Sequence, residues 1–80
     1  MKIYDYDGKK NICGDRVRSA RKAKGLSQEE LAARLQVEGV NIERDSISRI
    51  EIGTRFVADF ELRVLSDVLG VSVNYLLGIE

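Results

Sequence analysis

The chain of 80 residues contains no histidine, no proline and one cysteine, Cys13. Without histidine or a group of cysteines, the usual ligands of a zinc site are missing. General acid–base chemistry would have to rest on carboxylates and lysines. A lone cysteine forms no internal disulfide; Cys13 fits a reducing compartment and reads as a small core residue. With no proline, no helix is interrupted on that account. No apolar run is long enough to span a membrane, and the opening MKIYDYDGKK lacks the apolar stretch of a secretory signal. A cytoplasmic location is therefore expected. No nucleophile–base pair and no phosphate loop is visible, so neither an enzyme nor a cofactor is expected.

An excess of charge is also lacking. Thirteen basic residues balance thirteen acidic ones, a balance that does not announce a nucleic-acid binder. The distribution is uneven. Between Asn11 and Leu26 lie Arg16, Arg18, Arg21, Lys22 and Lys24 against Asp15 alone. From Phe56 onward lie Asp59, Glu61, Asp67 and Glu80 against Arg63 alone. A charge run by itself is usually a solvated face.

What is present is helical periodicity punctuated by Gly25, Gly39, Gly53, Gly70 and Gly78. A first helix is predicted over Ile12–Lys24, with Asn11 capping its start and Gly25 taking the left-handed position after its end. Val17, Ala20 and Arg21 share its inward stripe, so Arg21 should need an acidic partner. Ser27 and Glu30 form a capping box that opens a second helix, whose apolar face is Leu31, Ala32 and Leu35 and whose stop is Gly39. A third helix covers about Arg44 to Ile52, with Ile47 and Ile50 inward and Arg44, Asp45, Ser48 and Arg49 outward. A fourth runs from about Asp59 to Leu69, with Leu62, Leu65 and Leu69 inward. A short fifth, Val73–Leu77, is capped by Ser72 and closes the core with Leu76 and Leu77. Residues 1–10 read as an arm and 11–80 as one compact all-α, five-helix domain.

The ordered set GLSQEELAARL, SISRIEIGTR and LSDVLGVSVNYLLG resembles the Cro/phage-repressor (XRE) helix-turn-helix family, and the likeness extends from Ile12 to Gly78. It implies a lambda-repressor-like fold. Two departures stand out. The stretch QVEGVNIERD makes the turn between the second and third helices longer than the family's tight one; a loop insertion costs little entropy, and this one is read as neutral. Ala58 stands where a Ser or Thr cap would suit the fourth helix better, with Asp59 as a substitute charge in its first turn.

The resemblance implies that the third helix enters the major groove of double-stranded DNA, with Arg44, Asp45, Ser48 and Arg49 as base readers. It further implies phosphate contacts from Arg16, Gln28, Thr54 and Arg55, and a structural ion pair between Arg21 and Glu51. Lys9 and Lys10 are read as part of a mobile arm. Family members bind palindromic operators as two-fold dimers, so a homodimer on DNA is expected; VSVNYLLGIE and KIYDYD are read first as segments that cover the core and second as its candidate surfaces. The leading reading is a bacterial or phage transcriptional regulator, a repressor. Two others stay open: an antitoxin, which would add an unidentified protein partner, and a protein-interaction module that has lost DNA binding.

Overall fold

Five helices follow one another in the computed structural model, which describes residues 5–79: α1 (Gly14–Ala23), α2 (Gln28–Val37), α3 (Arg44–Ile52), α4 (Asp59–Leu69) and α5 (Val73–Leu76). The predicted order holds. α1 begins two residues later than predicted and α5 ends one residue earlier.

Local chemistry sets the boundaries. Asn11 Oδ1 accepts hydrogen bonds from the backbone N–H groups of Cys13 and Gly14 at 3.1 and 2.9 Å, so it caps α1 from just outside the helix. α2 opens with a full capping box: Ser27 Oγ accepts from Glu30 N–H at 3.0 Å, and Glu30 Oε1 accepts from Ser27 N–H at 2.8 Å. α3 stops at Gly53, whose φ of 89° is left-handed; Thr54 N–H reaches back to the Arg49 carbonyl at 2.9 Å, a Schellman closure. α4 is capped from within. The Ala58 side chain has no oxygen to offer; Asp59 supplies a negative charge in the first turn as expected, and the Glu61 carboxylate in addition accepts the Ala58 N–H at 3.0 Å. At α5, Ser72 Oγ accepts from Tyr75 N–H at 2.9 Å.

Val17, Leu31, Leu35, Ile47, Ile50, Leu65 and Leu76 are fully buried, each stabilising the fold by about 1.5–3 kcal/mol through burial. α3 packs against α1 and α2, while α4 spans α1, α2 and α5. The approach of α1 to α3 is close: a Cβ at Gly14 would collide with the Ile50 carbonyl oxygen. Cys13 is buried beside it, as predicted.

The lengthened turn after α2 packs on the core: Val40 and Ile42 are buried, and Gln36 Nε2 donates to the Ile42 carbonyl at 2.7 Å. One sequence reading needs correction. Lys9 and Lys10 do not sit on a mobile arm. Tyr6 and Lys9 exchange backbone hydrogen bonds, and Lys10 N–H donates to the Gly53 carbonyl at 2.7 Å. The rest of the candidate KIYDYD surface, residues 2–4, lies outside the described residues, as does Glu80.

Candidate nucleic-acid interface

α3 is divided into two faces. Ile47, Ile50 and Glu51 are buried, whereas Arg44, Asp45 and Arg49 are exposed and Ser48 is half-buried between them. The four predicted readers are thus brought onto one accessible polar surface by a helix anchored through two isoleucines. Arg44 Nη2 meets Asp45 Oδ1 at 3.1 Å, with both side chains mostly in solvent. Such a surface pair is worth little, about 0–1 kcal/mol, and is readily exchanged for other partners. Arg49 has no carboxylate partner among the described residues.

Behind this face lies a buried polar network. Arg21 Nε donates to Glu51 Oε2 at 2.7 Å, Arg21 Nη2 to Glu51 Oε1 at 3.1 Å, and Arg21 Nη1 to the Leu26 carbonyl at 2.8 Å. The demand for an acidic partner is met by the residue expected. The hydrogen bond to Glu51 pushes the Arg21 guanidinium further up than burial pulls it down, so the charge is secure. Gln28 Nε2 also donates to Glu51 Oε1, at 3.0 Å. One amide hydrogen of Gln28 is engaged there and the other remains. Gln28 occupies the first position of α2, where backbone N–H groups have no intrahelical acceptor. A polar side chain and free amides converge there, a combination suited to an anion.

The second predicted clamp is more constrained than its sequence suggests. Thr54 is exposed, with its hydroxyl 3.4 Å from the Arg49 carbonyl. Arg55 is half-buried and forms a bidentate pair with Glu61, Nη1–Oε1 at 2.9 Å and Nη2–Oε2 at 3.1 Å. Arg55 holds the Glu61 carboxyl below the ordinary carboxylate value, helped by the Ala58 N–H and opposed by burial. Glu61 was missed as a partner. Its signal was the acidic residue three places after the position before the helix.

Arg16 goes elsewhere. Its guanidinium lies over the Tyr75 ring, 5.9 Å from the centroid, and against Gly78. The structure brings it to α5 and not to α3 or the loop after it. Asn11 was read only as a cap, yet its Nδ2 also donates to the carbonyls of Ile50 and Arg55 at 3.1 and 2.8 Å. One side chain therefore starts α1 and holds both ends of the segment leaving α3.

Among the described residues no helix is long and apolar enough to cross a membrane. No curated protein matches the chain. Among solved structures, the P22 c2 repressor protein in complex with synthetic operator 9T in the presence of Tl+ is similar to it. The two share 27% sequence identity and a TM-score of 0.73, and the match covers 88% of this chain and 98% of that one. A family model described as a helix-turn-helix domain matches residues 13–76, which takes in every helix and both faces of α3. The chain belongs to the helix-turn-helix domain family, and its five-helix fold is of the phage-repressor type.

Proposed function

We propose that the chain is a sequence-specific double-stranded DNA-binding regulator of transcription, a repressor and not an enzyme, that acts in the cytoplasm with α3 in the major groove. The observation that carries this reading is the set of exposed Arg44, Asp45 and Arg49 with half-buried Ser48, mounted on a helix locked by Ile47 and Ile50. The likeness to a repressor solved on its operator supports it. Arginine pairs bidentately with guanine and aspartate accepts from cytosine, and each good contact discriminates by about 1–3 kcal/mol.

Affinity comes mainly from phosphates, which attract Gln28 with the first amides of α2, and Thr54 and Arg55 after α3. Arg55 keeps its charge but is held by Glu61, so it acts from a fixed position. Arg16, exposed and 5.9 Å from the Tyr75 ring centroid, adds a phosphate contact near the start of α1. Residues 11–80 form the DNA-binding unit, preceded by 1–10. Two copies bind a palindromic site, one α3 per half-site.

Selection from a random duplex pool, followed by salt titration of the enriched duplex, tests this reading. The expected result is a palindrome whose affinity falls steeply with salt. A pool that stays random at low salt contradicts it and favours the interaction module.

A further inference from the structure

The segment before α1 is built into the end of α3. Lys10 N–H is bonded to the Gly53 carbonyl, and Asn11 holds the carbonyls of Ile50 and Arg55. The Lys9 stem lies flat on Gly53: a Cβ there would stand 2.9 Å from Lys9 Cδ and 3.1 Å from Cγ. Asp7 and Gly8, with φ of 52° and 78°, turn the chain back on itself, and Asp5 Oδ1 meets Lys10 Nζ at 2.8 Å.

Several cations surround the loop that leaves α3, and they are not equivalent. Arg55 is paired with Glu61, which fixes its position. Lys10 is neutralised by Asp5 and lies over the Phe56 ring at 5.8 Å. Arg49 and Lys9 have no carboxylate partner among the described residues. Arg49 belongs to the reading face. Lys9 is exposed, and its stem rests on the residue that closes α3, directly before Thr54.

We propose that Lys9 contacts the phosphate backbone of the bound duplex, held at the closing end of α3 by the turn from Asp5 to Lys10. This rests on α3 being the groove helix. The side chain is a point charge on a flexible stem, suited to a phosphate and poorly suited to reading a base. Pinning the stem on Gly53 lowers the ordering cost that a free lysine would meet on contact. Gly53 is then needed for two reasons: its positive φ, and the space that a Cβ would take from Lys9. The contact adds affinity without sequence preference.

The test compares the full chain with its Lys9→Gln and Lys24→Gln variants on the duplex enriched from the random pool. Lys24 runs along Gly70, the residue that closes α4, so its loss removes the same charge at a different helix end. Lys9→Gln is expected to reduce the slope of log affinity against log salt by about 0.9 per bound subunit, with base preference unchanged. Lys24→Gln is expected to keep the parent slope. A parent slope retained by Lys9→Gln overturns the assignment, even if its melting temperature shifts, because a lysine that merely complements the helix end would act on stability alone. Equal slope losses in both variants overturn it in favour of general charge. A relaxed base preference overturns it in favour of direct reading. No salt-sensitive duplex binding by the parent chain removes the proposal together with the reading beneath it.

Discussion

Glu51 is the residue on which most of the polar interior depends. It accepts from Arg21 twice and from Gln28 once. Glu51→Ala would strand a buried guanidinium, and breaking a buried pair from one side costs roughly 3–5 kcal/mol. In a domain of this size the melting temperature should fall by on the order of 15 °C or more. A melt within a few degrees of the parent would show that the pair is solvated. Glu61 makes a different prediction. Its carboxyl lies below the ordinary value of 4.5 in the folded chain, so the folded state binds fewer protons than the unfolded state in acid. The stabilisation is complete above the unfolded value and is lost as pH falls through the folded one. Urea unfolding from neutral pH down to strong acid should show this acid limb, and Glu61→Gln should flatten it. The Arg21–Glu51 pair was legible because an inward arginine demands an acid and the family resemblance supplies one. The Arg55–Glu61 pair was not, because Arg55 had already been assigned to a phosphate and Glu61 lies on an element where solvated acids are common.

Helices were legible where punctuation and periodicity agreed. Ser27 with Glu30, the glycines at 39, 53 and 70, and the leucines of α4 each specify a boundary or a face by local chemistry. The length of the segment from Gln36 to Glu43 marks it only as an insertion. Its side chains say more: buried Val40 and Ile42 flank exposed Asn41, an alternation of period two that marks an extended strip with one face on the core. Val40 and Ile42 therefore add to the core just before α3. Ile42→Ala should destabilise the domain by about 2–5 kcal/mol, while Asn41→Ala should stay within about 0.5 kcal/mol of the parent. Equal, small effects from both in denaturant titration would show that the turn adds nothing to the core. The turn before α1 was overlooked for a related reason. YDYD alternates apolar and acidic residues, yet the role of the turn depends on a long-range fit to Gly53 that local pattern does not encode.

At the scale of the molecule, zero net charge argues neither for nor against DNA, because the charges that matter are sorted by partner. Arg21 and Arg55 are locked internally, Lys10 is paired with Asp5, and Arg44 is loosely held by Asp45. Among the described residues, Arg49 and Lys9 stand without carboxylate partners at the same end of α3. Composition sums all of these alike, which is why the site emerged from faces and not from totals. The central claim is that α3 reads sequence, and the most direct test is to run two selections in parallel from one random duplex pool. One uses the parent chain and the other Arg49→Ala, whose exposed side chain holds no part of the core. The account predicts that both recover the same palindrome. In the variant's palindrome, one base position per half-site should lose its preference, corresponding to about 1–3 kcal/mol of lost discrimination. An identical preference at every position would contradict the assignment of Arg49. No palindrome from the parent chain would contradict the account as a whole.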